Sequence, residues 1–380
     1  MKKNKFRAFP LFFILYLFPS ASLPAKNYIQ ENINWTKPIT QCWTYQSSRI
    51  AQTEIASDNE FVFYALLDGK IIALHSKTGE IQWTTELGNG ITSSLKAGRG
   101  NIYVLNETES GENTGNTKVS DNLGKSEISL RSIDIASGIV NWNITFAHPS
   151  SGTQMFLHGN DIILVTTNGS IIFVNSQDGK ISNEYKTGKE ISTSYIQDEI
   201  IIIGTNDRKL LLLSISDLQF RKELSVPEIV LNVFLKDDGR VFWTGEKGTL
   251  NVINIDSGRT LWTKKFGAKI SGVSNVSRDL LITSLDNFIY FTDNKGNILW
   301  KRRLAARVLG KPFIEGKTSI LSAFGDSTAL FIDLKTGKAI NSISLSDANY
   351  FTGSPLSVNN LLIFPTLYGL FAFSEQCPKK

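Results

Sequence analysis

The stretch ALHSKTGEIQW (73–83) places a glycine four residues before a tryptophan, and the chain repeats this arrangement. It returns as SIDIASGIVNW (132–142), as VINIDSGRTLW (252–262) and, with a turn one residue shorter, as FTDNKGNILW (291–300). The glycine and tryptophan pairs are Gly79 and Trp83, Gly138 and Trp142, Gly258 and Trp262, and Gly296 and Trp300. Such rewriting of one motif indicates that the chain is built from copies of one structural unit.

Positions equivalent to these tryptophans recur along nearly the whole chain. They are Trp43, Trp83, Trp142, Asn183, Lys222, Trp262, Trp300 and Asn341. Neighbouring positions are 38 to 41 residues apart, except between Trp83 and Trp142, where 59 residues include a polar insertion at 107–125. A period near 40 residues is typical of a repeat fold.

Each period reads as short β-strands separated by tight turns. In 59–83 the Asp68-Gly69 and Thr78-Gly79 pairs separate three runs rich in Ile, Val and aromatic residues. One further strand before each unit makes four strands per period, and four-stranded sheets repeated radially form a β-propeller. We therefore predict an all-β, eight-bladed propeller of four antiparallel strands per blade, spanning 26–380 as a single domain.

The two ends of the chain are predicted to share the last blade. The segment 354–373 supplies three strands and then the repeat stops, whereas Trp43 lies in a strand with no turn before it. The N-terminal strand would therefore supply the missing outer strand and remove an open sheet edge.

The N-terminus has the features of a secretory signal peptide over 1–25. A basic start, MKKNKFR, precedes ten apolar residues at 9–18 and the small-residue stretch PSASLPA. Cleavage is expected after Ser22 or Ala25. Ten apolar residues are too few to span a bilayer, and no later stretch is apolar enough to cross one. We expect an exported protein, periplasmic or secreted, with no integral membrane segment.

The distribution of charge and of reactive residues along the chain predicts no nucleic-acid site, cofactor site or metal site. The net charge of +5 is spread along the chain, and the one dense cluster, WKRRLAAR (300–307), is interpreted as protection of an exposed strand edge. The three histidines are scattered, and the chain has no hydrolase, zinc-protease or dinucleotide-binding motif. We therefore predict no catalytic residues, no cofactor and no metal.

The motif A-x-D-x-x-T-G-x-x-x-W resembles the tryptophan-docking motif of the pyrroloquinoline-quinone (PQQ)-type eight-bladed propellers, over residues 39 to about 377. That resemblance implies that each tryptophan lies flat between neighbouring blades. The family contains quinoprotein dehydrogenases and non-catalytic scaffolds of the BamB type, which serve outer-membrane β-barrel assembly. The length and the lack of a catalytic set favour a monomeric scaffold that binds a protein partner; a quinone-binding subunit is the alternative.

The resemblance to BamB-type scaffolds also implies a partner-binding stretch, which corresponds to VPEIVLN (226–232) in this chain. Ile229 and Leu231 match an apolar pair, and Asn232 stands where those scaffolds have arginine. The alternative is that Ile229 and Leu231 belong to the core of an inner strand.

The two cysteines are predicted to form a disulfide. Alignment of 330–341 with 370–380 places Cys377 at the last turn, and Cys42 precedes Trp43 in the strand that would pair beside it. An oxidising compartment would permit the bond. Two free surface thiols are the alternative.

Overall fold

The computed structural model describes residues 34–378 except 48–53, 89, 92, 109–126, 147–151, 237, 309, 324 and 347–348. The predicted signal peptide and most of the insertion at 107–125 lie outside the described residues. Within the described part of the chain every regular element is a β-strand, and no helix there is long and apolar enough to cross a bilayer.

The described residues form thirty-two strands, which are arranged in eight four-stranded sheets. Strand β1 (Thr40–Gln46) belongs to the last sheet. Blade 1 contains β2 (Ala56–Ser57), β3 (Phe61–Ala65), β4 (Lys70–His75) and β5 (Ile81–Glu86); blade 2 contains β6 (Lys96–Gly98), β7 (Asn101–Thr108), β8 (Glu127–Asp134) and β9 (Val140–Phe146). Blade 3 contains β10 (Gln154–His158), β11 (Asp161–Val165), β12 (Ser170–Asn175) and β13 (Ile181–Lys186); blade 4 contains β14 (Ile191–Gln197), β15 (Ile200–Thr205), β16 (Lys209–Ser214) and β17 (Phe220–Ser225).

The second half of the ring repeats this arrangement. Blade 5 contains β18 (Val230–Leu235), β19 (Arg240–Gly245), β20 (Thr249–Asn254) and β21 (Thr260–Lys265); blade 6 contains β22 (Ile270–Val276), β23 (Asp279–Ser284), β24 (Phe288–Thr292) and β25 (Ile298–Arg303). Blade 7 contains β26 (Phe313–Glu315), β27 (Thr318–Ser322), β28 (Thr328–Asp333) and β29 (Ala339–Ser344); blade 8 contains β30 (Leu356–Val358), β31 (Leu361–Thr366) and β32 (Gly369–Ser374), closed by β1. The predicted eight-bladed propeller is confirmed, with all neighbouring strands antiparallel.

The core lies between the blades. The two middle strands of each blade are almost continuously apolar, as in Ile162–Val165 and Ile171–Val174, and these residues are buried. Continuous apolar runs fit strands that are covered on both faces. Outer strands instead alternate between exposed and half-buried residues, because only one of their faces meets the next blade.

All eight predicted repeat positions lie on outer strands, and each follows a β-bulge. In blade 1, Ala73 pairs with Trp83 and Leu74 pairs with Ile81, so that Gln82 is the extra residue. The same break in register precedes the repeat position of every other blade. A bulge locally increases strand twist, and here it precedes each residue that faces the next blade.

Each of the five repeat tryptophans lies against the turn between the third and fourth strands of the following blade. A Cβ added to Gly79, Gly138, Gly179 or Gly337 would lie 2.5–2.7 Å from an indole carbon, and one on Gly296 would lie 3.0 Å away. The indole N–H of each tryptophan donates to a backbone carbonyl of that turn. The pairs are Trp43 to Ser76 (3.0 Å), Trp83 to Ile135 (2.7 Å), Trp142 to Ser176 (3.3 Å), Trp262 to Asn294 (3.1 Å) and Trp300 to Leu334 (2.9 Å). The ring is thus buried while its one hydrogen-bond donor is satisfied.

The positions without tryptophan use other contacts. Lys222 donates from Nζ to the carbonyl of Ile255 (3.3 Å) and to that of Asp256, so that its ammonium takes the place of an indole N–H at the Gly258 turn. Asn183 is exposed, and in blade 4 Leu218, with a φ of 51°, stands in place of the turn glycine. A lysine stem with its charge on carbonyls can thus substitute for a docked tryptophan.

The two ends of the chain close blade 8. Strand β1 pairs antiparallel with β32, and Trp43 opposite Ala372 follows the bulge. The disulfide predicted between Cys42 and Cys377 is present, with the two Cα atoms 5.3 Å apart and 335 residues apart in sequence. In the chain-entropy model a loop of this size contributes about 6 kcal/mol to the free energy of unfolding.

A segment before β1, residues 34–39, fills the seam between blades 7 and 8. Trp35, a residue that the repeat analysis missed, is fully buried and lies 5.7 Å from the Phe331 ring. The side chain of Asn341 donates to the carbonyls of Trp35 (3.1 Å) and Lys37 (2.7 Å). The N-terminal segment therefore occupies the place where a tryptophan of blade 7 would have docked.

Glu315 joins this segment to both blades. Its carboxylate accepts from Trp35 Nε1 (2.9 Å) and from the Ser357 hydroxyl of blade 8 (2.6 Å). Burial raises the pKa of the Glu315 carboxyl, and the two hydrogen bonds oppose that rise only in part. Ring closure thus involves a carboxyl whose protonated form is favoured by folding.

Two glycine substitutions distinguish the loss of stability caused by crowding the docked indole from the loss caused by backbone strain. Gly138 (φ 73°) touches the Trp83 ring, whereas Gly100 (φ 74°), in the same blade, has no atom within 4 Å of an added Cβ. We expect Gly100→Ala to cost about 1 kcal/mol of unfolding free energy through φ alone, and Gly138→Ala about 1–3 kcal/mol more through overpacking. Urea unfolding of both variants measures the difference; equal losses would contradict tryptophan docking as the tighter constraint.

Glu315 should make the stability of ring closure depend on pH. Because folding raises its pKa, its contribution is complete below the pKa of the unfolded chain and is lost as pH rises through the folded pKa. Glu315→Gln keeps an acceptor for Trp35 and removes the titration. We expect the unfolding free energy of the wild type minus that of Glu315→Gln to fall as pH rises from 4 to 8, measured by urea unfolding. A difference that is flat or rises with pH would show that Glu315 is not the group responsible.

Candidate protein-binding face at the channel entry

The predicted partner-binding residues lie where the chain enters the inner strand of blade 5. Ile229 and Leu231 are half-buried and Asn232 is exposed, whereas Val230 between them is fully buried. Ile229 and Leu231 are thus neither fully buried nor fully exposed. We call the side of the ring formed by these entries, and by the hairpins between second and third strands, the channel-entry face.

Leu231 is the extra residue of a β-bulge. Val230 pairs with Gly245 and Asn232 pairs with Thr244, so Leu231 has no partner in the sheet. Blades 4 and 6 have the same bulge, and there the extra residues are Ser192 and Ser271. Their hydroxyls donate to carbonyls of the next blade, of Val230 (2.7 Å) and Val308 (2.6 Å) respectively. Leu231 is thus an apolar side chain at a position where the neighbouring blades place an inter-blade hydrogen bond.

An open cavity of about 520 Å³ lies beside Leu231 at the mouth of the central channel. Entry segments of blades 1 to 5 line it with mainly small polar side chains, among which Met155, Phe156 and Leu231 are the large apolar ones. Glu54 and Lys96 are its charged lining residues. A polar concave surface with a few apolar anchors suits the recognition of a protein segment.

Glu228 holds the entry segment of blade 5 in place. Its buried carboxylate accepts from the backbone N–H of Lys247 (2.8 Å) and from the Thr249 hydroxyl, both in the hairpin of the same blade. It packs so closely on Gly245 that a Cβ there would lie 2.0 Å from the Glu228 Cδ. Glu228 is not among the residues predicted from the sequence, in which an acidic residue just before an apolar strand is the available signal.

At the opposite end of the channel, charged side chains bind other groups of the ring. A cavity of about 340 Å³ there includes Lys236, Asp238, Arg240 and Arg278. Arg240 binds the Asp238 carboxylate (Nε–Oδ2 2.8 Å) and donates to the carbonyl of Asn294 (2.9 Å), and its guanidinium holds the pKa of Asp238 below the usual range. These charges therefore tie blade 5 to the docking turn of blade 6.

The described residues contain no group of three or more His, Cys, Asp or Glu side chains placed to hold a metal ion. His75 lies 3.5 Å from the Thr78 hydroxyl in a docking turn, and His158 lies 3.5 Å from Glu199 at the surface. His148 lies outside the described residues. The described histidines thus have turn and surface contacts.

Comparisons with known proteins agree with this architecture. The sequence model of the family described as "Outer membrane protein assembly factor BamB" matches residues 35–200 and 246–358. The crystal structure of BamB from Moraxella catarrhalis superimposes with a TM-score of 0.65 at 15% identity, covering 90% of this chain and 99% of that one. No curated protein sequence matches the chain significantly.

Two further solved structures show how general the fold is. The computationally designed Ika8 protein gives a TM-score of 0.70 at 13% identity, covering 88% of this chain and 99% of that one. Sqt1 from Saccharomyces cerevisiae gives a TM-score of 0.68 at 12% identity, covering 88% of this chain and 98% of that one. At these identities the superpositions establish the propeller fold alone.

Removal of the Glu228 carboxylate should loosen the channel-entry face locally. In Glu228→Ala the N–H of Lys247 and the hydroxyl of Thr249 lose their acceptor, which we expect to cost about 1–3 kcal/mol. Hydrogen exchange at Lys247 should accelerate, while the exposed neighbour change Glu246→Ala should leave it unaltered. Unchanged exchange in Glu228→Ala would mean that the hairpin does not depend on this carboxylate.

Proposed function

We propose, because the chain belongs to the family of outer membrane protein assembly factor BamB, that it is a non-enzymatic scaffold acting in outer-membrane β-barrel assembly. The match covers well over half of the chain, and the resemblance of the docking motif agrees with it. In this proposal the protein is exported to the periplasm. The Cys42–Cys377 disulfide supports that location, since disulfides persist in oxidising compartments.

The partner-binding surface in this proposal is the channel-entry face at blade 5. Leu231 is the observation that carries it, because this residue is not needed for the sheet and displaces an inter-blade hydrogen bond found in both neighbouring blades. A half-buried apolar side chain at such a position is well placed to be completed by a partner. Asn232 beside it donates to Thr244 (3.2 Å) and presents an exposed polar edge.

The test uses the serine that blades 4 and 6 already have at this position. Leu231→Ser should abolish capture of the β-barrel assembly protein from detergent-solubilised envelopes, because it removes the apolar anchor. The melting temperature should be unchanged or higher, since the new hydroxyl can donate to blade 6 as Ser192 donates to blade 5. Loss of capture without loss of stability would separate binding from folding.

The matched control is Ser192→Ala, which removes an inter-blade hydrogen bond without touching the apolar anchor. We expect it to cost about 0.5–1.5 kcal/mol of stability and to retain capture. Undiminished capture by Leu231→Ser would contradict the assigned surface. Stoichiometric, tight binding of PQQ with Ca²⁺ by the wild type, seen as an absorbance change, would contradict the scaffold function and favour a quinone-binding subunit.

A further inference from the structure

The outer strands of blades 5 and 6 differ in charge from those of the rest of the ring. Strand β21 (TLWTKK) and strand β25 (ILWKRR) together carry five basic residues and no acidic one. They are Lys264, Lys265, Lys301, Arg302 and Arg303. We call β21 and β25 together the basic rim.

Charges on the other outer strands have partners. Glu86 of β5 pairs with Lys70 (2.9 Å), and Glu184 of β13 lies 3.9 Å from Lys186. In blade 4, Arg221 pairs with Asp217 (2.9 Å), Glu223 pairs with Lys209 (3.3 Å) and Lys222 docks on the blade 5 turn. Strands β1, β9 and β29 carry no charged residue. These strands therefore present little uncompensated charge to solvent.

The basic rim is uncompensated. None of Lys264, Lys265, Lys301 and Arg303 lies within ion-pairing distance of a carboxylate among the described residues. Lys301 lies over the Phe288 ring (5.6 Å), while Arg302 alone is used internally, donating to the Gly337 carbonyl (3.1 Å). Lys265, Lys301 and Arg303 are exposed.

Edge protection does not explain where these charges are. Each of the eight blades presents an outer strand as a sheet edge, so charges that only prevented edge pairing would be needed in every blade. Strands β1, β9 and β29 have none, and five are concentrated in two adjacent blades. The concentration indicates a surface that meets an anionic partner.

Exposed aliphatic side chains lie at the beginning of the same two strands. Leu261 of β21 is 50% exposed, and Ile298 and Leu299 of β25 are 40% and 54% exposed. Aliphatic groups beside unpaired cations form the combination by which peripheral proteins bind bilayers, with the cations at the headgroups and the apolar groups at the acyl boundary. Exposed apolar residues also begin other outer strands, at Ile81, Val140, Ile181 and Phe220, but among the described outer strands those of β21 and β25 are the ones that lie beside unpaired cations.

We propose that the basic rim docks the ring edge-on to an anionic phospholipid surface. A convex ring can touch a plane only along neighbouring blades, and the unpaired cations are concentrated on two such neighbours. The channel-entry face lies on a different side of the ring from its outer strands. Membrane contact through the rim would therefore leave that face accessible to a protein.

The experiment is co-sedimentation of the full chain with lipid vesicles. We expect binding to phosphatidylcholine vesicles containing phosphatidylglycerol and much weaker binding to phosphatidylcholine alone, with the difference reduced by salt. Lys265→Gln/Lys301→Gln/Arg303→Gln should lower the apparent partition coefficient about a hundredfold, at about fivefold per charge. Leu261→Ser/Leu299→Ser should remove the binding that persists in high salt.

The control variant removes the same three charges elsewhere. Lys77, Lys335 and Lys338 are exposed in the docking turns of blades 1 and 7, and their replacement by glutamine should leave vesicle binding nearly unchanged. Melting temperatures identify any variant that fails to fold. Equal binding with and without phosphatidylglycerol, or equal loss in both triple variants, would overturn the proposal. So would tighter binding to polyglutamate than to vesicles, which would favour an acidic protein. Capture of the β-barrel assembly protein from detergent does not depend on these outcomes.

Discussion

The contact between a tryptophan of one blade and the glycine turn of the next is the interaction on which the ring depends. The indole lies so close to the turn that a Cβ on the glycine would overlap it, and its N–H reaches a carbonyl of the same turn. One residue therefore sets both the spacing and the orientation of two blades. A bulge before each such residue turns it toward the neighbouring blade, and this is why the motif recurs as a unit of turn, bulge and tryptophan rather than as a tryptophan alone.

A closed ring needs one more seam than a linear chain of blades supplies, and this protein closes it with both termini. Strand β1 completes blade 8 and places Trp43 on the turn of blade 1, while the Cys42–Cys377 disulfide fixes that strand to the chain end. At the seam between blades 7 and 8 the docking residue is Asn341, and the buried Trp35 arrives from the N-terminal side instead. The same indole chemistry is thus used in both places, once within the repeat and once outside it.

The fold could be predicted because its determinants are local and periodic. A turn glycine, a hydroxyl or carboxylate before it and a tryptophan four residues later recur in register, so that counting them counts the blades. Trp35 and Glu315 escaped prediction because they act across 280 residues and belong to no repeat. Glu228 escaped because its partners, a backbone N–H and the Thr249 hydroxyl, include no opposite charge that the sequence would reveal. Lys222 could be placed at a tryptophan position, but the sequence did not reveal that its ammonium reaches the same turn.

Function has to be sought at positions that the ring does not require. A designed propeller and a yeast protein superimpose on this chain as well as a bacterial BamB does, so the blade geometry is compatible with many uses. Docking tryptophans, turn glycines and middle-strand aliphatic residues are explained by the fold. Leu231, where the adjacent blades have serine, and the unpaired cations of β21 and β25 are not. Both features are local departures from the repeat, and each lies on an accessible side of the ring. A repeat protein thus allows its own blades to serve as the reference against which a binding site stands out.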